Sequence, residues 1–175
     1  MNEPELTQDE TQELVRLLKK LKPGFYPIEI FWEFCRLIKT TSLEVVPFVR
    51  DENGNIKVVL IKRPHDDKFW PDSYHNPGCI VRPNDTFAMA LNRVIEEELE
   101  DPKIITPPVF FDVVFSKYCR GENIGLINWI ELDSNLNIGE AFDIGNFPEN
   151  MVKEEIPYII KAAQNFKEFL EKNKR

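Results

Sequence analysis

The sequence predicts an α/β domain, a mixed sheet held between helices, and two observations carry that prediction. The first is a change of period at Ser42. Before it, apolar residues recur at helical spacing. After it, residues 43–49 and 56–62 are rich in β-branched side chains and flank Asp51-Glu52-Asn53-Gly54-Asn55, and Asn-Gly between two such runs is a strong hairpin signal. The second is the order of elements: two helices, strands, a helix, strands and a closing helix. With 175 residues, of which 42% are apolar and 11% aromatic, the chain has material for one domain with a real core and lacks the composition of a disordered one.

The elements follow in order. Thr7-Gln8-Asp9-Glu10 has the form of a capping box, and Leu14, Leu17, Leu18 and Leu21 continue at helical spacing until Lys22-Pro23-Gly24 stops the helix. A second helix begins near Pro27 and carries Ile30, Phe31, Phe34, Cys35 and Ile38 on one stripe. These two helices form an N-terminal extension over residues 1–41, ahead of a main domain over 42–175. Their apolar stripes need a cover, either the main body or a second copy of the chain in a homodimer. The hairpin of 43–49 and 56–62 leads into a long ordered connection, 63–82, with a short strand at 79–82. A helix spans about 86–99, with Asp85 or Thr86 as N-cap. Strands are expected at 109–118 and 124–132, an irregular stretch at 133–148, and an amphipathic helix over 151–172.

Composition narrows the function. The chain has 22 basic and 30 acidic residues, a formal net charge of −8, which argues against a nucleic-acid footprint or docking on anionic lipid. No apolar run approaches the roughly 20 residues of a membrane span. The N-terminal Met-Asn-Glu-Pro-Glu is acidic where a signal peptide is basic, so a soluble cytoplasmic protein is expected. Cys35, Cys79 and Cys119 are widely spaced and suit neither a zinc site nor a disulfide framework. Only His65 and His75 are present, which excludes a histidine-rich metal site.

The end of the middle helix is where chemistry concentrates. Glu96, Glu97, Glu98, Glu100 and Asp101 crowd a helix C-terminus, where the dipole disfavours negative charge. On an α-helical wheel Phe87, Leu91, Ile95 and Leu99 form the core stripe, Glu96 points to solvent, and Val94 falls between Glu97 and Glu98 at the edge of the core. Two partly screened carboxylates on one flank suit Mg²⁺ or Mn²⁺, hard ions that take oxygen ligands. A solvated acidic helix end is the other reading of the same spacing.

The run Pro77-Gly78-Cys79, Asp85, Arg93 and Glu97-Glu98 resembles the Nudix box, Gly-x5-Glu-x7-Arg-Glu-U-x-Glu-Glu-x-Gly-U, where U is a bulky apolar residue. Cys79, five residues, Asp85, seven residues and Arg93 match its spacing without a gap. Val58-Val59-Leu60-Ile61-Lys62-Arg63 and Asn146-Phe147-Pro148-Glu149-Asn150 are similar to segments that precede the box and the last helix in that family. The resemblance covers about residues 43–172 and implies an α/β/α sandwich of Nudix type, preceded by the helical pair. Four positions depart: Cys79 for glycine, Asp85 for glutamate, Val94 for glutamate and Glu100 for glycine.

The resemblance implies divalent-metal-dependent hydrolysis of a nucleoside diphosphate linked to another group. Glu97 and Glu98 would be the catalytic metal ligands for Mg²⁺ or Mn²⁺, and Arg93 a structural partner that steadies the loop. Val94 would set an isopropyl group on the metal face, so that Val94→Glu should strengthen metal binding. Asp85 would cap the helix or orient Arg93, and Glu122 or Glu140 could supply a third acid. Arg63, Lys62, Arg82 and His75 are the candidate substrate contacts, against ordinary surface charge and a backbone-bonded histidine. Phe69, Trp70 and Tyr74 could stack on a nucleobase, or simply pack. Cys79 reads as a small buried residue rather than a nucleophile. The rival function is a catalytically silent Nudix domain that binds a nucleotide-like ligand or a protein partner.

Overall fold

The computed structural model describes residues 6–24 and 26–173. Helix α1 (Gln8–Leu18) opens on the expected capping box: the Glu10 N–H donates to the Thr7 hydroxyl at 3.3 Å, and the Thr7 N–H donates to the Glu10 carboxylate at 2.8 Å. None of its residues is buried, and Leu14, Leu17 and Leu18 stay exposed. Helix α2 (Ile28–Leu37) buries Cys35 and ends one residue before Ile38, which is already extended.

The strands are β1 (Thr40–Arg50), β2 (Ile56–Lys62), β3 (Tyr74–His75), β4 (Gly78–Ile80), β5 (Ile104–Tyr118), β6 (Gly121–Leu132) and β7 (Glu140–Asp143). They form a sheet in the order β3-β2-β1-β6-β5, with β4 beside β1 and β7 beside β2. The β1–β6 pair is parallel and the others are antiparallel, so the sheet is mixed as the element order predicted. At the hairpin the Asp51 carboxylate accepts the N–H groups of Asn53 and Asn55 at 2.9 and 2.8 Å, and Gly54 takes the left-handed conformation (φ +82°) that closes it.

Residues 42–49 of β1 are buried, as befits a strand covered on both faces. One face meets helix α4 (Ile156–Lys172): Val46, Phe48, Val58, Leu60, Ile127 and Trp129 pack on Tyr158, Ile159, Ala162, Ala163 and Phe166, with Phe48 and Phe166 stacked 5.1 Å apart. The other face sets Leu43, Val45, Val49, Val59, Ile130 and Leu132 against Ala90, Val94 and Leu99. This is an α/β/α sandwich. Near the hairpin, Phe48–Arg50 pairs with Ile56–Val58. Farther along, β1 takes β4 as its neighbour and β2 takes β3. The sheet forks there.

Several expectations are corrected. Helix α3 (Phe87–Arg93) starts on Thr86 as N-cap and stops short of the expected Leu99, giving way to a π-helical turn over Val94–Glu98. The Leu99 N–H reaches back five residues to the Val94 carbonyl at 3.2 Å. That wider turn brings Val94 and Leu99 onto one face, so the buried stripe is Ala90, Val94 and Leu99 while Phe87 is 46% exposed. A constant α-helical wheel does not describe this segment. Val94 is fully buried among Leu43, Val45 and Val59, not on a metal face. The segment ends on Glu100 and Asp101, both left-handed (φ +54° and +50°). β5 begins at Ile104, before the expected 109, and its register shifts between Thr106 and Val109, where Pro107-Pro108 has no N–H to pair. β7 lies in the stretch expected to be irregular. A 3₁₀ turn, Lys153–Glu155, occupies the expected start of the closing helix.

Candidate functional site

The fork of the sheet holds a cavity of about 530 Å³. Its lining comes from β1 (Ser42 and Glu44), the end of β2 with Lys62 and Arg63, Trp70, the β3–β4 segment, Glu97 and Glu98 of the π turn, Tyr118 and Arg120 at the β5–β6 turn, Glu140, and Glu155. Five carboxylates and three cations therefore share one concave surface.

Glu44 and Glu155 form its buried part, at 9% and 7% exposure. Glu44 Oε1 accepts the Ser42 hydroxyl at 2.6 Å, and Glu155 Oε2 accepts the Asn76 N–H at 2.6 Å. Gly78 leaves room for Glu44: a Cβ there would fall 2.1 Å from Glu44 Oε2, so a side chain at 78 would force the carboxylate to move. Burial raises the carboxyl pKa of both acids. The charge of Glu44 raises that of Glu155 further, while the Ser42 hydroxyl and then the Arg120 charge oppose the rise at Glu44. Asn76 is buried with them. Its Nδ2 donates to the Pro77 carbonyl at 2.9 Å, and its Oδ1 has no partner among the described residues. Glu98 is half-buried, and burial lifts its pKa; Arg63 opposes this and Glu97 adds to it. Glu97 is exposed.

Among the cations, Arg63 pairs with Asp67 at 2.7 Å and lies 5.4 Å from the Trp70 ring centroid. Lys62 pairs with Asp72 at 3.6 Å. His75, in β3 opposite Ile61, is 8% exposed. Burial, then the Arg63 charge, pushes its pKa down to about 3, so the ring is neutral. Tyr74 donates its hydroxyl to Glu140. Phe69 stands between Trp32 and Trp70, outside the lining.

Arg93 and Arg82 also stand outside the lining. Arg93 joins Asp85 at 2.7 and 3.2 Å and donates to the Ile80 carbonyl at 3.0 Å, tying β4 to α3. Asp85 orients Arg93, and Thr86 supplies the cap. The Arg93 guanidinium, then the Arg82 N–H, holds the Asp85 carboxyl at about 2. Burial raises the Cys79 thiol pKa, and the thiol donates to the Ala90 carbonyl at 3.5 Å, so it is no thiolate nucleophile. Glu122 pairs with Lys39 at 2.9 Å and is not in the lining, whereas Glu140 is.

Among the described residues no three His, Cys, Asp or Glu side chains converge as a metal cluster. Mg²⁺ does not need one, since it commonly takes one or two carboxylates and completes its shell with water and substrate phosphate. The Glu97–Glu98 pair fits that pattern: two neighbouring carboxylates in the cavity lining with, among the described residues, no cationic side chain bonded to either. Sequence reasoning missed Glu44, Asn76, Arg120 and Glu155. Glu44 did leave a signal, one charge inside an otherwise apolar strand.

No protein-family model and no curated protein matches the chain. Solved structures do. A MutT/Nudix family protein from Listeria innocua superposes with a TM-score of 0.60 at 18% identity, covering 75% of this chain and 96% of its own. This is the Nudix fold. The Nudix domain of Shewanella oneidensis NrtR, solved with ADP ribose, matches 92% of this chain and 99% of its own at 12% identity and a TM-score of 0.54. An Ap4A hydrolase from C. elegans matches 76% of this chain and 99% of its own at 14% identity and a TM-score of 0.53. Within this Nudix fold no helix among the described residues is long and apolar enough to cross a membrane.

The buried acids make stability pH-dependent in a defined direction. Glu44 and Glu155 bind protons more tightly folded than unfolded, so the stability they contribute is complete below the ordinary glutamate value of 4.5 and is lost as the pH rises through their raised values. Asp85 acts oppositely: its contribution is present above 3.8 and is lost as the pH falls through about 2. Glu155→Gln keeps an oxygen to accept the Asn76 N–H and removes the titration. Its melting temperature at pH 8 should exceed that of the wild type by a few degrees, roughly 1 kcal/mol, with the difference vanishing near pH 4. Parallel melting curves across that range would refute the assignment of Glu155 as a buried, proton-binding acid.

Proposed function

We propose that the cavity binds a nucleoside diphosphate linked to another group and that the chain hydrolyses it with Mg²⁺ or Mn²⁺ held at Glu97 and Glu98. The observation that carries this is the cavity's composition: the acidic pair Glu97 and Glu98, the cations Arg63 and Lys62, and the rings of Trp70 and Tyr74 all line it. A diphosphate with an aromatic base needs those three kinds of group together. The Nudix fold supports the reading, as does the ADP ribose held by a domain of similar fold.

In this mechanism Arg63 and Lys62 meet phosphate oxygens, and His75, being neutral, offers a hydrogen bond without adding charge. Trp70 and Tyr74 supply ring surface. Arg93 is a positioning residue that acts through Asp85 and Ile80 on β4, the strand beneath the acidic pair. The cation, when bound, would neutralise the diphosphate and polarise an attacking water. A silent binding domain is the second reading. The core position of Val94 favours it, since the π turn then presents two acids and not three.

A hydrolysis screen separates the two: nucleoside triphosphates, dinucleoside polyphosphates, nucleotide sugars and ADP-ribose, with Mg²⁺ and Mn²⁺ separately. Turnover that requires metal and falls at least a hundredfold in Glu97→Gln/Glu98→Gln is the expected result (about 3 kcal/mol of transition-state stabilisation). A folded protein that turns over nothing in the panel would leave the binding reading in place.

A further inference from the structure

Arg120 differs from the other cations of the cavity in what holds it. Arg63 and Lys62 each have a carboxylate partner, at 2.7 and 3.6 Å. Arg120 is half-buried, and among the described residues it makes no ion pair and no hydrogen bond. Its guanidinium lies 5.3 Å from the centroid of Trp70 and 5.9 Å from that of Tyr118, and its charge acts without a direct bond on the buried Glu44 and Glu155. Contact with a ring commits no N–H to a hydrogen-bond acceptor, so the donors of the guanidinium remain for an oxyanion. The Arg63 guanidinium lies 5.4 Å from the same Trp70 centroid. One indole thus carries two guanidinia at the wall of the cavity. Arg63 already holds Asp67, while Arg120 has no carboxylate bonded to it among the described residues, so an anion reaching both would be attracted by two charges at once.

The turn that bears Arg120 is fixed by packing. Arg120 sits in the β5–β6 turn immediately before Gly121, where α2 comes so close that a Cβ would fall 1.8 Å from the Cys35 carbonyl oxygen. The same helix presents Trp32 edge-on to Phe69 at 5.8 Å, and Phe69 meets Trp70 at 5.8 Å. So α2 braces both the turn that bears Arg120 and the indole on which it lies. A cation held ready in this way needs little further ordering to bind.

We propose that Arg120 closes with Arg63 on the ligand's diphosphate, forming a two-guanidinium clamp built on Trp70 and braced by α2. This rests on the diphosphate reading of the cavity and adds the residue that grips it. The test is calorimetric binding of inorganic pyrophosphate and of adenosine to the intact chain, in EDTA and again with Mn²⁺. Arg120→Gln should weaken pyrophosphate by about tenfold or more, and Arg120→Lys, which keeps the charge but loses the fork, should fall between. Adenosine affinity should not change, and Lys167→Gln, an exposed charge on α4, should leave pyrophosphate binding as in the wild type. Unchanged pyrophosphate affinity in Arg120→Gln overturns the proposal. So does an equal loss for adenosine and pyrophosphate with a lowered melting temperature, which would make Arg120 structural. The hydrolysis reading fails separately: Arg120-dependent pyrophosphate binding without turnover keeps the clamp and removes the hydrolase. A wild-type chain that binds no pyrophosphate in either condition removes the clamp, whatever it hydrolyses.

Discussion

Val94→Glu is expected to destabilise the protein by about 4 kcal/mol or more and to leave its affinity for Mn²⁺ unimproved. By family resemblance this substitution would restore a metal-binding acid. The structure gives the opposite sign, because the Val94 side chain is fully buried among Leu43, Val45, Val59 and Leu99. A carboxylate there would stand among apolar side chains, and moving it into water would pull the π turn off the sheet. Val94→Ala, which only opens a cavity, should cost about 2 kcal/mol and serves as the comparison. Melting temperatures and Mn²⁺ titrations of the three proteins decide the matter. A Val94→Glu protein that melts like the wild type and binds Mn²⁺ more tightly would show that the side chain reaches the cavity, and the core position would be wrong.

Gly121→Ala should cost about 3 kcal/mol, a fall on the order of 10 °C in melting temperature. Two causes add. The backbone at Gly121 has φ +145°, which a side chain disfavours, and the added methyl would collide with the Cys35 carbonyl of α2. Gly54→Ala separates them. That glycine is also left-handed, at φ +82°, but nothing lies within 4 Å of where its Cβ would be. It should therefore lose only the conformational part, about 1 kcal/mol. Equal losses at the two glycines would mean that α2 yields freely to the turn. A much larger loss at Gly121 would establish that the N-terminal extension is fixed to the main domain at this point.

The sheet could be read from the chain because its signals are local. Asn53-Gly54 between two β-branched runs fixes the hairpin, and burial of β1 on both faces is written in its apolar run over residues 45–49. The Cys79–Asp85–Arg93 spacing likewise foretold a link that the structure realises as the Arg93–Asp85 pair. What escaped depends on distant parts of the chain. Glu155 belongs with Glu44 only because the turn before α4 returns to the fork, and Arg120 belongs with Arg63 only because both meet one indole. Neither pairing leaves a periodic trace. Val94 was misplaced for a different reason: a wheel of constant pitch cannot register a turn that widens midway.

That wider turn bears on how the acidic pair can change over generations. A π turn amounts to one extra residue inserted in an α-helix, tolerated here because Val94 and Leu99 still reach the same face of the sheet. Removing a single codon within residues 95–98 would restore ordinary pitch and rotate one flank of the segment by about 100° relative to the other. The bearing of Glu97 and Glu98 toward the cavity is thus adjustable by a deletion, while point substitutions at Val94 run into the core. For this helix, gain or loss of a residue is the easier evolutionary route between an open acidic rim and a closed one.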